Sequence, residues 1–290
     1  MFDRNLTIGL EEDLNADVNY QQHFNDSRID LTKLVDRPPL ALSIGVDDRS
    51  YNGTHYPLRF GTFGNISMIK GEEKARKSFL KSLLLACAIG GKANNFTDTL
   101  DIRGHELQDK YIIDIDTEQD EYDVWLNATR IPKMVGIIPP NYISLQLRQY
   151  TPKERKQLLE WLYMDSEYRN NLGLVSLDGY VDCLKNFNDL EESSEFTNSL
   201  MKYTSLTKSH LTGVLHLNPG SDKARGHLGT ILQNKCETVV IIKDMGEFSH
   251  VICQRARGKK FNDFTIRVND DWLPYISQDE VVTNSDLKLS

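Results

Sequence analysis

Short apolar runs alternate with longer amphipathic stretches through most of this chain. Short apolar runs bounded by turn residues are typical of strands, and strands that alternate with helical segments indicate βα units around a parallel sheet. The earlier runs are apolar at most positions, as expected for strands covered on both faces. We therefore predict an α/β fold with a mostly parallel central sheet flanked by helices. The predicted strands are 65–70, 110–116, 142–149, 172–178, 211–217, 238–243, 250–257 and 264–268.

Helices are predicted between these strands. Residues 77–89 place leucines on one stripe and end at a glycine pair, which favours a helix terminus. Thr151 and Glu154 have the spacing of a capping box at the start of a second helix. A third helix is predicted over 194–208. A hairpin joined near Gly246 is expected to add antiparallel strands at the C-terminal side of the sheet.

Three parts are expected along the chain. Residues 1–40 are polar and acidic, have no helical or alternating period, and close with two prolines, so we predict an N-terminal arm outside the core. Residues 41–276 are expected to form the α/β domain. Residues 277–290 are predicted to be a C-terminal tail.

Composition and charge narrow the classes of protein to consider. With 39% hydrophobic and 26% charged residues, the chain has the profile of a soluble globular protein. Its longest apolar run, 83–89, is far shorter than the roughly 20 residues of a membrane span, and the first residues do not resemble a secretory signal. We therefore expect a cytoplasmic protein without membrane contact. The formal net charge of −8 disfavours extensive coating of nucleic acid but allows a local basic loop.

The cysteines lie far apart in the sequence, without a CxxC pair or a histidine at ligand spacing. This spacing argues against a zinc site and against a disulfide framework. We therefore expect buried free thiols. The four cysteines are Cys87, Cys183, Cys236 and Cys253.

A strand, a loop and a helix together predict a phosphate-binding loop. The predicted strand leads into Gly71, and after a charged loop Lys77 and Ser78 begin a helix. In such a loop the backbone N–H groups point at phosphate oxygens, the lysine reaches the β and γ phosphates, and the hydroxyl holds Mg²⁺. The nucleotide-binding residues predicted on this basis are Gly71, Glu72, Glu73, Lys74, Ala75, Arg76, Lys77, Ser78 and Phe79.

Arg76 departs from the motif GxxxxGK[ST], because it stands at the position of the second glycine. Its side chain can constrain the φ angles of the loop or crowd the nucleotide. It can equally add positive charge beside the phosphates. The motif alone is therefore also compatible with a solvated charged loop that caps a helix.

Acidic residues follow two other predicted strands. Asp116 and Glu118 come at and just after the end of one strand, and Asp178 ends another. Ligands of open α/β sheets bind beyond the carboxyl ends of the strands, so these acids are expected near the phosphate loop if the strands are neighbours. An aspartate there can hold Mg²⁺ through water, and a carboxylate opposite can deprotonate the attacking water. Taken singly, Asp178 is also compatible with a helix N-cap and Glu118 with a solvated loop acid.

These motifs, taken in chain order, resemble a known family. The phosphate loop followed by IDTE at 115–118 and LVSLDG at 174–179 resembles the RecA-like core shared by the recombinase RecA and the ring helicases. More closely, these segments and the run at 215–240 resemble ATPases of bacterial mobile elements and phages, related to the plasmid replication helicase RepA. The similarity extends from residue 60 to about 268.

The resemblance implies a RecA-like P-loop NTPase fold that uses ATP and Mg²⁺. It assigns Glu118 as the catalytic base, and Asp178 together with Ser78 as the metal ligands. It places a γ-phosphate sensor at His216, for which a histidine hydrogen-bonded in a turn is the alternative. Lys223 and Arg225 lie in the segment 218–230, which is predicted to be a mobile basic loop. The corresponding loop of RecA-like rings touches DNA, and a plain surface loop is the alternative.

Arg255 and Arg257 have the spacing of a basic pair that ring helicases extend into the neighbouring subunit's site. Two side chains two positions apart on a strand point the same way, so both arginines can meet one triphosphate. An arginine finger in trans would make activity depend on assembly. An exposed basic strand that protects the sheet edge is the alternative.

Two functions are therefore carried forward. The first is a Mg²⁺-dependent ATPase, helicase-like, that assembles as a homo-oligomer, expected to be a hexameric ring. It acts on DNA, with single-stranded DNA as a candidate partner, in replication or mobilisation of an extrachromosomal element. The second is a nucleotide-binding structural or regulatory module in which Arg76 has reduced or abolished hydrolysis.

Overall fold

The computed structural model describes residues 19–90, 102–218 and 221–277, and Tyr51 in its backbone only. The chain divides into two units, residues 1–37 and residues 38–290. The first 18 residues of the predicted arm, and the predicted tail from residue 278 onward, lie outside the described residues. Among the described residues, no helix combines the length and the apolar character needed to cross a membrane.

The first unit contains the helix α1 (Tyr20–Ser27). Asn19 caps this helix, because its side chain accepts a hydrogen bond from the backbone N–H of Gln22 at 3.0 Å. None of the residues of α1 is buried.

The second unit consists of strands and helices that alternate along the chain. The strands are β1 (Leu40–Tyr51), β2 (Thr54–Thr62), β3 (Ile66–Gly71), β4 (Arg103–Gly104), β5 (Tyr111–Asp116), β6 (Tyr142–Gln146), β7 (Leu172–Asp178), β8 (His210–His216), β9 (Thr238–Asp244), β10 (Ser249–Ala256), β11 (Phe264–Val268) and β12 (Pro274–Ser277). The helices are α2 (Lys77–Gly90), α3 (Glu121–Val135), α4 (Pro152–Met164), α5 (Leu190–Thr207) and α6 (Gly226–Lys235).

The central sheet has the strand order β12-β11-β10-β9-β3-β8-β7-β5-β6. The strands from β9 to β6 in this order pair in parallel, whereas β10, β11 and β12 are added in antiparallel pairs. The prediction of a mostly parallel α/β sheet with a C-terminal antiparallel hairpin is therefore confirmed. Gly246, with a φ angle of +85°, lies in the turn that joins β9 to β10.

Helices cover both faces of this sheet. One buried apolar cluster combines residues of α2 and α3 with one side of the strands, and a second cluster combines residues of α4, α5 and α6 with the other side. Along β5, Ile112 belongs to the first cluster, whereas Ile113 and Ile115 belong to the second. Because side chains alternate along a strand, Asp114 and Asp116 share the face of Ile112 and lie on the α2 side.

A smaller sheet of order β2-β1-β4 was not predicted from the sequence. The second half of β1 is polar, and its pairing with β2 contains several register shifts, so neither apolar alternation nor a regular period marks these strands. Their inward residues, among them Leu42 and Phe60, join the apolar cluster on the α2 side.

The helix boundaries follow capping interactions. Thr151 and Glu154 form the predicted capping box at the start of α4. Asp189 caps α5 by accepting a hydrogen bond from the N–H of Glu192 at 2.7 Å, so this helix begins at Leu190, earlier than predicted. All four cysteines are buried and free, as expected.

The predicted loop over 218–230 is wrong from Gly226 onward, because α6 begins there. Glycines in this segment suggested a mobile loop, but Gly229 permits close packing instead. A Cβ atom at Gly229 would lie 2.7 Å from the backbone of Ala224. Glycine therefore lets α6 approach the chain that precedes it.

Candidate nucleotide site

The residues predicted to bind nucleotide meet at the carboxyl ends of the parallel strands. Gly71 at the end of β3 pairs with His216 at the end of β8, and Asp178 at the end of β7 pairs with Asp116 at the end of β5. The strand β5 is not a direct neighbour of β3, because β8 and β7 lie between them. The shared edge nevertheless places the ends of all four strands side by side.

Gly71 is required by close packing at the start of the phosphate loop. A Cβ atom at this position would lie 2.6 Å from the carbonyl oxygen of Ile242 on β9. The loop then exposes Glu72, Glu73 and Lys74 and buries Ala75 before α2 begins. This strand–loop–helix arrangement is the one that the sequence predicted.

Arg76 has a backbone conformation that favours glycine, which is the residue that the motif has at this position. Its φ angle is +65°, in the left-handed region that non-glycine residues rarely occupy. Its guanidinium donates to Asp244 Oδ1 at 2.7 Å, to Ser249 Oγ at 3.1 Å and to the carbonyls of Gly246 and Phe248. The side chain therefore binds the β9–β10 turn, on the side of β3 away from β8.

Lys77 extends toward β8 instead. Its ammonium donates to the carbonyl of Gly71 at 3.1 Å and to that of Glu72, and it lies 3.3 Å from Nδ1 of His216. Burial lowers the pKa of Lys77, although Asp178 and Glu118 act in the opposite direction. The lysine thus belongs to one electrostatic cluster with the end of β8 and the two candidate acids.

Glu118 lies on the far side of the same histidine. Its Oε1 is 3.7 Å from Nε2 of His216. The His216 imidazole lowers the pKa of Glu118, burial opposes this, and Lys77 and Arg225 add attraction. The carboxylate of Asp116 accepts the N–H groups of Glu118 and Gln119, both at 2.9 Å, and so holds the turn that carries Glu118.

Asp178 pairs with a buried lysine that the sequence did not single out. The ammonium of Lys81 lies 3.1 Å from Asp178 Oδ2 and 3.2 Å from Asp114 Oδ1. Burial alone would lower the pKa of Lys81, but attraction to these acids and to Asp116 outweighs it and raises the pKa. The available signal was a lysine four residues after Lys77, on the same face of an otherwise apolar helix.

The acids at this edge have the chemistry of a Mg²⁺ site. Burial raises the pKa of Asp116, and the nearby Asp178 raises it further against the effect of Lys81. Mg²⁺ prefers oxygen ligands and takes one or two from the protein, with phosphate and water supplying the rest. The carboxylate of Asp178 and the hydroxyl of Ser78, in the first turn of α2, provide such oxygens. Within the described ranges, no group of three or more His, Cys, Asp or Glu side chains is arranged to hold a metal ion.

Phe79 packs against protein side chains on α3 and near β12. The guanidinium of Arg130 lies 3.8 Å from the centre of the Phe79 ring, and Trp272 is stacked at 6.4 Å on that ring. Burial lowers the pKa of Arg130 to about 10. Phe79 thus fastens α2 to its neighbours beside the predicted nucleotide site.

The predicted DNA-contacting residues follow β8. Leu217 pairs with Ala224, and the carbonyl of Asp222 accepts a hydrogen bond from the buried Lys70 at 2.8 Å. Lys223 is exposed, and the guanidinium of Arg225 lies 5.0 Å from the ring centre of Phe187. Both basic residues stand at the same edge of the sheet as the candidate nucleotide site.

Arg255 and Arg257 lie at the opposite edge of the sheet. Ala256 between them pairs with Thr238, the first residue of β9. Arg255 donates to the carbonyl of Gln233 at 2.6 Å and Arg257 to that of Lys235 at 3.0 Å, so both bind the last turn of α6. A strand of the length of β9 spans roughly 20 Å, which separates this pair from the phosphate loop of its own chain.

The structure thus brings together Lys77, His216, Glu118 and Asp178, and leaves Arg255 and Arg257 outside that group. No model of a known protein family matches this chain, and neither does any curated protein.

Proposed function

We propose that this chain binds ATP and hydrolyses it with Mg²⁺, as a RecA-like, helicase-like protein acting on DNA in replication or mobilisation of a mobile element or phage. The observation that carries the proposal is the contact series from Lys77 through His216 to Glu118, with Asp178 beside it. These residues come from distant parts of the sequence and converge at the sheet edge where ligands of α/β proteins bind.

Each residue has a role that its position supports. Lys77 can exchange its loop carbonyl partners for β- and γ-phosphate oxygens. Glu118 has a lowered pKa, so it is ionised at neutral pH and can accept a proton from water. His216 contacts both Lys77 and Glu118, so a change at the γ-phosphate that moves His216 can change the position of the base Glu118. Ser78 and Asp178 would hold Mg²⁺, which neutralises charge on the phosphate oxygens when bound.

Steady-state ATP hydrolysis, with and without single-stranded DNA, tests the proposal. Glu118→Gln should reduce hydrolysis about 10²–10⁴-fold, because it removes the general base. Glu121→Gln, an exposed glutamate three residues away, serves as the matched control and should hydrolyse like wild type. If wild type hydrolyses no faster than Glu118→Gln, Glu118 is not the base.

The alternative function is nucleotide binding without turnover, and Arg76 motivates it. Arg76 binds the β9–β10 turn, whereas Lys77 contacts β8, so these two side chains diverge from the loop. Because the side chain of Arg76 is directed away from Lys77, the structure is compatible with phosphate binding by this loop. Stabilisation against heat by ATP without any hydrolysis would favour the binding module, and stabilisation by neither ATP nor ADP would contradict both functions.

A further inference from the structure

Arg155, in the first turn of α4, is a buried hub of backbone hydrogen bonds. Its Nε donates to the carbonyl of Leu147 at 3.0 Å, and its Nη1 to that of Asp182 at 2.9 Å. Its Nη2 donates to the carbonyls of Thr117 at 3.1 Å and Arg148 at 3.0 Å. The residue is only 9% exposed, so these carbonyls satisfy its guanidinium away from solvent.

The four carbonyls belong to the segments that follow three different strands. Thr117 follows β5, Leu147 and Arg148 follow β6, and Asp182 lies just after β7. A guanidinium carries five donors in a fixed plane, so it can hold several acceptors in defined relative positions. One side chain therefore fixes the relative positions of three strand ends at the edge where the candidate site lies.

Two of these segments carry the candidate base and the candidate metal ligand. Thr117 directly precedes Glu118, and Asp182 lies four residues after Asp178. The hydroxyl oxygen of Thr117 lies 2.8 Å from both the carbonyl oxygen of Asp178 and Asp182 Oδ2, so its single proton is shared between these two acceptors. Arg155 thus binds both ends of the bridge between Thr117, which precedes Glu118, and Asp182, which lies four residues after Asp178.

We propose that Arg155 is a positioning residue that sets the location of Glu118 relative to Asp178. This inference rests on the proposed ATPase function. Displacement of a reacting group by about 1 Å can cost on the order of 10²-fold in rate while ground-state binding persists. Arg155 should therefore act on the hydrolytic step and not on nucleotide affinity.

The test compares Arg155→Lys with Arg148→Lys in the full-length protein. Lysine keeps the charge of residue 155 but lacks the planar fork, and exposed Arg148 gives the same exchange in the neighbouring segment. Arg155→Lys should reduce kcat for ATP about 10–10²-fold, with KM and the Kd for ADP within about 3-fold of wild type. Arg148→Lys should behave like wild type.

A double variant separates positioning from general loss of structure. If Arg155 acts through Glu118, then Arg155→Lys combined with Glu118→Gln should be no slower than Glu118→Gln alone. Amide hydrogen exchange without nucleotide gives an independent measure. The N–H of Thr117 donates to the carbonyl of Asp178, and the N–H of Glu118 donates to Asp116 Oδ1. Both N–H groups should exchange faster in Arg155→Lys.

The outcomes distinguish this inference from the proposed function. Absence of Glu118-dependent hydrolysis in wild type overturns the proposed function, and the positioning role with it. If wild type depends on Glu118, the positioning role alone is overturned by wild-type kcat in Arg155→Lys, by a further loss in the double variant, or by unchanged exchange at Thr117 and Glu118.

Discussion

At position 76, the backbone and the side chain contribute to stability with opposite signs. A φ angle of +65° costs roughly 1 kcal/mol for a residue with a Cβ atom, and glycine avoids most of that cost. The guanidinium offsets it through its bonds to Asp244, Ser249 and two carbonyls of the β9–β10 turn. The departure from the glycine motif thus preserves the conformation of the loop and adds a contact to the next turn.

Two substitutions at Arg76 separate these contributions. Arg76→Ala keeps the unfavourable φ angle and loses the hydrogen bonds, whereas Arg76→Gly loses the bonds but relieves the backbone. Both variants should be less stable than wild type, and Arg76→Ala should be the less stable of the two by about 0.5–1 kcal/mol. Urea unfolding measures the difference. A glycine variant less stable than the alanine variant would contradict a strained backbone at this position.

Lys70 predicts a pH dependence of stability. Burial lowers its pKa to about 8, below the value of about 10.4 expected in the unfolded chain. Between these values the unfolded chain binds the proton that the folded protein releases, so the free energy of unfolding should rise with pH over this window, by about 1–3 kcal/mol. Below pH 8 both states hold the proton, and this dependence should vanish.

Lys70→Met provides the reference for that measurement. Methionine is apolar and of similar length, so the variant loses the titration but can still fill the space between β3 and α6. The difference in unfolding free energy between wild type and Lys70→Met should change in favour of wild type from pH 8 to pH 10. A difference that stays constant with pH would show that Lys70 has an ordinary pKa.

At the scale of the elements, apolar runs were sufficient to predict the parallel strands and the helices α2, α4 and α5. The sequence also predicted Lys77, Glu118, Asp178 and His216 at one edge, because strand ends of a parallel sheet converge there. The β1–β2 hairpin was not predicted because the second half of β1 is polar and the pairing of β1 with β2 is irregular in register. The start of α6 escaped because a glycine needed for packing is not distinguishable in sequence from one needed for a turn.

The supporting residues of the site could not be predicted for a different reason. Lys81 and Arg155 lie on helices where charged residues usually face solvent, and their importance comes from partners on other strands. Lys81 binds Asp114 and Asp178, and Arg155 binds the loops after β5, β6 and β7. Only the fold determines which carboxylate or carbonyl a buried cation meets.

The ion pairs of Lys81 fasten α2 to β5 and β7, and this predicts a stability effect. Lys81→Met leaves Asp114 and Asp178 buried without their cation, which should destabilise the protein by about 3–5 kcal/mol. Adding Asp114→Asn removes one unpaired charge and should recover part of that loss. Urea unfolding of wild type, both single variants and the double variant measures the coupling. Strictly additive losses would contradict a direct interaction between Lys81 and Asp114.

On the scale of the whole molecule, the sheet separates the candidate nucleotide site from the arginine pair that the family resemblance assigns to a neighbouring subunit's site. Lys77, Glu118 and His216 lie at the carboxyl edge of the parallel strands, and Arg257 lies at the amino edge. Arg257 of one chain therefore cannot reach that chain's own candidate site across a strand of roughly 20 Å. If Arg257 takes part in hydrolysis, it must come from a second copy, and copies must associate head to tail, as in a ring.

Mixing two inactive variants tests this arrangement. Glu118→Gln removes the base but keeps Arg257, and Arg257→Ala keeps an intact candidate site but removes the arginine. Each variant alone should hydrolyse ATP slowly, while a mixture should form some sites with Glu118 from one copy and Arg257 from another, and so recover part of the activity. The recovered rate should rise with protein concentration, because it requires association. Lys235→Ala, which truncates another basic residue at the amino edge, should retain activity on its own. A mixture no more active than the sum of its two components would mean that Arg257 does not complete a neighbour's site.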